Sequence, residues 1–195
     1  MNLDAATSYA IKQLEPIEKT VYYYHNVYHA LDVFKSVAEY GLSEKINGTD
    51  LMLLKTAAIF HDIGIINSYN AHEEESVRII HEVLPGFDYS VQQIDAVGKL
   101  IMATKMPTNP GNDLEKLICD ADLDYLGRED YIEISDRLKR EMEVINRKKF
   151  SAAEWLDFQL GFLVAHNYYS QTARSLRNDG KLLNIIKIQK LLKKV

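Results

Sequence analysis

The segment Ala57-Ala58-Ile59-Phe60-His61-Asp62 carries an adjacent histidine and aspartate into an apolar stretch. A buried carboxylate loses its hydration, and that cost is tolerated only when something compensates it. A divalent cation compensates both groups at once, taking an imidazole nitrogen and a carboxylate oxygen as ligands. His29 lies upstream, and Asp120-Ala121-Asp122-Leu123-Asp124 supplies carboxylates downstream. Such groups stabilise a helical core only if they meet. Two imidazoles and two carboxylates that met would suit a catalytic ion with water in its open positions. Helical phase leaves Asp120, Asp122 and Asp124 as competing sources of the second carboxylate.

Helical periodicity dominates the elements that must position these groups. Residues 4–15 read as a first helix and residues 20–24 as a short extended lead-in. From Asn26 to Tyr40 the apolar positions Ala30, Val33, Phe34, Val37 and Ala38 form an amphipathic stripe, ended by Gly41. His29 lies one turn before Val33 on that face, and His25 one turn earlier still. Thr49 is placed to cap a helix over 51–63 that is apolar nearly all round and therefore central. His61 and Asp62 fall in its last turn, and Gly64 breaks it. A loop over 65–71 leads to a helix from His72 to Leu84, stopped by Pro85-Gly86. Ser90-Val91-Gln92-Gln93 is a capping box, opening a helix with Val91, Ile94, Val97 and Ile101 inside. A loop over 106–111 precedes a helix capped by Asn112, with Leu114, Leu117, Ile118, Ala121 and Tyr125 on one side. A further stripe runs Tyr131, Ile134, Leu138, Met142, Ile145. Ser151 to Glu154 is a second capping box, before a helix with Trp155, Phe158, Phe162 and Ala165 inward. The lysine-rich tail from Lys181 is helical, its lysines a solvated face. No convincing period-2 strand is found. The expectation is an all-α helical bundle of about eight helices.

The chain has 195 residues, suited to one domain over 1–195, with the site within 20–130 and helices over 130–195 packed on it. At 47% hydrophobic and 26% charged residues it has the profile of a globular protein in water. A net charge of −5 gives no basic footprint for nucleic acid. The single Cys119 excludes a disulfide framework and a cysteine-based zinc site. No apolar run reaches the length of a membrane span, and Met1-Asn2-Leu3-Asp4 lacks the features of a signal peptide. A cytoplasmic protein that binds neither nucleic acid nor membrane is expected. His81 and His166 have no motif around them and read as structural.

The order His29, His61-Asp62, Asp122 resembles the HD superfamily of metal-dependent phosphohydrolases. Four stretches carry the resemblance, over roughly residues 20–130. Tyr24-His25-Asn26-Val27-Tyr28-His29-Ala30-Leu31-Asp32-Val33 is similar to a Tyr-His-Asn-x-x-His-x-x-x-Val opening. Ala57 to Asp62 resembles the helix that ends in the His-Asp doublet. His72-Glu73-Glu74-Glu75-Ser76 resembles the start of the helix that follows it, and Cys119 to Gly127 the segment bearing the last ligand. There the family's ligand follows the alanine, which selects Asp122.

The resemblance implies an all-helical fold and a divalent ion held by His29, His61, Asp62 and Asp122. It also implies hydrolysis of a small phosphate ester, of nucleotide type, by metal-activated water, with Asp62 orienting or deprotonating the water. Mn, Fe, Mg, Zn and Ni all accept these ligands. His72 reads either as a group supporting the ligands or as a ligand to a second ion. No histidine falls between Val97 and Lys105, which favours one ion. Asn26, Lys105 and Arg128 are candidate substrate or supporting contacts, a solvated side chain being the alternative for Lys105 and Arg128.

The opening motif also resembles that of class I cyclic-nucleotide phosphodiesterases, which implies His25 as general acid, a phosphate contact or a helix-entry histidine being the alternatives. Those enzymes carry a third histidine soon after the His-Asp pair, where Ile63-Gly64-Ile65-Ile66 stands here, so cyclic-nucleotide specificity is a lesser alternative. A nucleotide-binding sensor that keeps the metal cage with little or no turnover is the other.

Overall fold

The computed structural model describes residues 1–195, except the side chains of Glu18 and Lys19. Among the described residues there are nine α-helices and no strand. They are α1 (Leu3–Leu14), α2 (Val27–Ser43), α3 (Gly48–Phe60), α4 (His72–Val83), α5 (Val91–Ala103), α6 (Asp113–Asp122), α7 (Tyr131–Ile145), α8 (Ala152–Ala165) and α9 (Gln171–Leu192). Short 3₁₀ turns follow α1, α4 and α6, and another spans Ile63–Ile66.

Side-chain caps set most of the starts. Asn26, Asn112 and Ser170 each accept a backbone N–H from the first turn that follows. Ser90 and Ser151 form complete capping boxes with Gln93 and Glu154. The cap of α3 is Asn47, whose Oδ1 accepts from Asp50 N at 3.0 Å, rather than Thr49. The asparagine comes first and satisfies the donor before the threonine is reached.

Helix α3 is the centre of the bundle. It packs against α1, α2, α5 and α6, which is why its sequence is apolar on every side. Leu54, Ala57, Ala58, Ile59 and Phe60 are all fully buried. This places the end of α3, and the His61-Asp62 that follows, in the interior.

Gly41, which reads as a helix stop, and Gly180 both lie inside helices. Gly41 sits in α2, where an added Cβ would stand 2.5 Å from Leu51 Cδ1. Gly180 sits in α9, where a Cβ would stand 1.9 Å from the Gly127 carbonyl oxygen. Each glycine admits a close neighbour, and α9 therefore begins ten residues before Lys181.

The inward face of α8 also differs from the expected one. Trp155, Gln159 and Leu163 are buried, while Phe158 is 48% exposed and Ala165 is exposed. The helix is apolar on most sides, so periodicity left its phase undetermined. Val91, in the first turn of α5, is exposed as well.

Candidate metal centre

Asn26 starts α2 by accepting from Tyr28 N, and its amide donates to the Tyr22 carbonyl. It is thus committed to backbone, and it places His29 at the end of the first turn of α2. His61 is the C-cap of α3, and its Nδ1–H donates to the Ala58 carbonyl at 2.8 Å. That bond fixes the ring and leaves Nε2 as the free nitrogen of the neutral imidazole.

Asp62 leaves the helix with φ −105° and ψ 6° and turns its carboxylate back beside His61. Gly64 then lets α4 approach. A Cβ there would lie 2.1 Å from the His72 carbonyl oxygen and 2.6 Å from Ser76 N. Ser76 Oγ accepts from Gly64 N at 2.8 Å and ties the two segments together. The close approach brings His72 Nε2 to 3.2 Å from Asp62 Oδ1.

The ligand-type atoms converge. His29 Nε2 and His61 Nε2 are 3.2 Å apart. Asp122 Oδ1 lies 3.0 Å from the first and 3.4 Å from the second. Asp62 Oδ2 lies 3.4 Å from His29 Nε2 and 3.1 Å from His61 Nε2. Two ligands about 2.1 Å from one ion, at right angles, stand about 3 Å apart, so these separations fit one shared cation. His29, His61 and Asp122 each offer an atom within 4.8 Å of the others. Asp62 Oδ2 is buried and makes no hydrogen bond. An orphaned carboxylate oxygen facing two imidazole nitrogens is a costly arrangement unless a positive charge sits between them. The donor set therefore fits a divalent metal.

The electrostatics point the same way. Burial would raise the Asp62 carboxyl, but His61, His72 and His25 outweigh it and hold its pKa well below the ordinary value. Burial opposes ionisation of Asp122 too, and His29 and His61 lower its pKa. Burial would depress His61, and the two aspartates raise its pKa instead. His72 is pushed up to about 9, its loss of hydration outweighed by Asp62. The carboxylates thus favour positive charge at His61 and His72, a charge that a divalent ion would supply in place of protons.

The three neighbouring aspartates have separate partners. Asp120 accepts from Tyr169 N at 2.8 Å and Ser170 N at 2.7 Å, ahead of α9. Asp124 takes the Tyr40 hydroxyl and pairs with Arg177 at 2.6 Å. Only Asp122 of the three faces the histidines.

The remaining candidates divide. His25 and His72 line a cavity shared with Asp62 and Asp122. Lys105 pairs with Glu74 on the exposed side of α4. Arg128 is bound to Asp32 at 2.5 Å and Asp130 at 2.7 Å, in a larger polar groove reached by His29 but not by the aspartates of the centre. Neither cation is positioned as a phosphate contact in the cavity. His81 is exposed beside Asp95, and His166 packs on Phe162 and Tyr168 away from the centre.

Sequence reading missed Glu141. It is fully buried on α7, and its Oε2 accepts from Tyr24 N at 2.8 Å and His25 N at 3.0 Å. Its Oε1 forms a very short bond with His25 Nδ1. A signal was present: Ile134, Leu138, Glu141 and Ile145 share one face of α7, so a charge stands in an apolar register.

The family model described as HD domain matches residues 26–126, just over half of the chain. The chain belongs to the HD-domain family. The family is one of metal-dependent phosphohydrolases, and the matched span holds all four converging residues. No curated protein matches the chain. A solved structure, described as a predicted HD superfamily hydrolase from an uncultured Thermotogales bacterium, is similar in fold. Its TM-score is 0.63 and its identity 19%, over 99% of this chain and 92% of that one. The HD-domain assignment agrees with the all-helical architecture. No helix among the described residues is long and apolar enough to cross a membrane.

Proposed function

We propose that this HD-domain protein hydrolyses a small phosphate ester, of nucleotide type, with one divalent ion held by His29, His61, Asp62 and Asp122. The carrying observation is the convergence of two imidazole nitrogens and two carboxylate oxygens, one of them buried without a hydrogen bond. A divalent ion bound there supplies a Lewis acid that lowers the pKa of water and neutralises phosphoryl charge.

The chain's own residues do the rest. His72 holds Asp62 Oδ1 and so leaves Oδ2 directed at the imidazoles. Glu141 fixes His25 through Nδ1, which leaves Nε2 to carry a proton to the leaving oxygen. Burial alone would depress His25; Glu141 and Asp62 together outweigh it, and the net shift is upward. A histidine kept protonated near neutrality suits a general acid. Tyr24 packs tilted against His29, and Tyr125 meets Tyr24 edge-on behind it. A sensor that only holds a nucleotide has no use for a buried carboxylate on His25 Nδ1, and this favours turnover.

The test is elemental analysis of untreated protein, followed by a phosphate-ester screen with the metal found. Stoichiometric divalent metal and metal-dependent hydrolysis are expected. Asp62→Ala should lose both while keeping its helical circular dichroism. Turnover by that variant in metal-replete buffer contradicts the assignment.

A further inference from the structure

Helix α4 begins beside the metal centre with three consecutive glutamates, Glu73, Glu74 and Glu75. Acids in a first turn face the positive end of the helix dipole, which is their ordinary use there. Glu74 is exposed and pairs with Lys105. Glu75 pairs with Arg78 at 2.7 Å and accepts from the Asn67 amide. Those two serve the helix end from the surface. Glu73 is placed differently. It is only 9% exposed, and it lines the cavity that holds Asp62, Asp122, His25 and His72. Burying a carboxylate costs free energy unless its oxygens are bonded.

Among the described residues none donates a hydrogen bond to the Glu73 side chain, and its one ion-pair contact is His72 Nε2, 3.7 Å from Oε1. Both nitrogens of that ring face closer acceptors. Nδ1 meets the Tyr69 carbonyl at 2.9 Å, and Nε2 meets Asp62 Oδ1 at 3.2 Å. Neither is left for Glu73. Thr104, another lining residue, donates its hydroxyl proton to the Ile101 carbonyl at 2.8 Å. No lysine or arginine lines the cavity among the described residues. A carboxylate sunk in a cavity with its acceptor sites open is a receptor for donors that arrive with a ligand.

The geometry points to Glu73 as the specificity-determining residue that recognises hydroxyl groups on the alcohol part of the ester. The phosphoryl group lies at Asp62 and Asp122. His72 is within ion-pair range of both Asp62 and Glu73, so Glu73 stands one side chain away from the reacting centre. A hydroxyl a few carbons from the esterified oxygen reaches it. A carboxylate has about four lone-pair sites, enough for two neighbouring hydroxyls at once. An acidic side chain on a ribose hydroxyl is a general mode of nucleotide recognition. A second phosphoryl group in this place would meet like charge. This rests on the hydrolase reading above and narrows it to a nucleoside monophosphate held by its sugar hydroxyls.

Ribonucleoside 5′-monophosphates and their 2′,3′-dideoxy counterparts, compared base by base, differ only in those hydroxyls. In the metal-loaded protein the hydroxylated ester should exceed the dideoxy ester in kcat/KM by tenfold or more for every base turned over. Glu73→Leu should bring the ratio to within threefold of one. Glu73→Gln keeps one acceptor and should leave an intermediate ratio. Because each ratio is taken within one sample, loss of folded protein does not move it. A Glu73-dependent gain of 2-aminoethyl phosphate over ethyl phosphate, with none for the sugar hydroxyls, would assign the carboxylate to an ammonium and overturn the inference. Elemental analysis should find equal metal in wild type and Glu73→Gln. Loss of one of two ions in the variant would make Glu73 a metal ligand instead.

A second arm needs no ion: ligand-observed NMR of ribonucleosides and dideoxynucleosides with metal-stripped protein. The ribonucleoside should bind better, and Glu73→Leu should remove the difference. Equal ratios in wild type and Glu73→Leu overturn the inference even when the enzyme is active. Absence of metal binding and turnover with the hydroxyl preference intact overturns the hydrolase reading alone.

Discussion

Glu141 gives the sharpest separation of catalysis from stability. Glu141→Leu removes the acceptor of two buried backbone donors, Tyr24 N and His25 N, as well as the partner of His25 Nδ1. Each orphaned donor costs about 1–3 kcal/mol, so the loss should be roughly 2–6 kcal/mol. That is a large share of the roughly 5–15 kcal/mol available to a domain. Glu141→Gln is different. Its carbonyl oxygen can keep both backbone donors, so stability should fall by about 1 kcal/mol. The carboxylate that keeps His25 protonated is gone, however, and the amide nitrogen faces His25 Nδ1. General acid catalysis contributes about 10²–10⁴-fold, so kcat/KM should drop at least about 10²-fold, or about 3 kcal/mol in the barrier.

The sign of the pH effect follows. Glu141 raises the His25 pKa, so wild-type His25 stays protonated to higher pH. Without the carboxylate, the alkaline limb of kcat/KM moves to lower pH. An alkyl ester, whose leaving oxygen needs the proton, should lose far more than a nitrophenyl ester. The assay is a kcat/KM pH profile on both esters, with metal content and thermal unfolding measured on the same preparations. Wild-type kcat/KM and an unmoved alkaline limb in a metal-replete Glu141→Gln sample would refute the assignment of His25.

Gly64→Ala puts a methyl within 2.1 Å of the His72 carbonyl and 2.6 Å of Ser76 N, so α4 must shift; activity should fall at least tenfold and stability by about 2 kcal/mol or more. A variant with unchanged melting temperature and activity would show that α4 is free to move. Asp122→Asn should abolish stoichiometric metal binding, whereas Asp120→Asn and Asp124→Asn should retain the metal and lower the melting temperature, which elemental analysis and calorimetry will separate. His166 is pushed down to about 4 by burial and, secondarily, by Lys181. The unfolded chain therefore binds the extra proton between pH 6.5 and 4. Stability is whole above 6.5 and falls by at most about 3 kcal/mol as pH drops through that window. His166→Asn should flatten that limb in urea titrations, and an unchanged slope would assign the acid sensitivity elsewhere.

Local order determined much of this protein from its sequence. Caps at Asn112, Ser90 and Ser151 mark helix starts because the residue that begins a helix satisfies donors within three positions of itself. The apolar run before His61 marks a central helix because a segment surrounded by others has no polar face to show. His29, His61 and Asp62 stand out because each is a costly group at a buried register. Tertiary structure decided what depends on distance through space. Asp120, Asp122 and Asp124 lie within five residues, and only the turn at the end of α6 sends the middle one to the histidines. Gly41 reads as a stop in sequence, yet it and Gly180 are points of contact whose neighbours come from elsewhere in the chain. Glu141 reaches the site from α7, beyond the span that the motifs cover. Side-chain type records what a residue can do, whereas which groups face it is set only when distant helices pack.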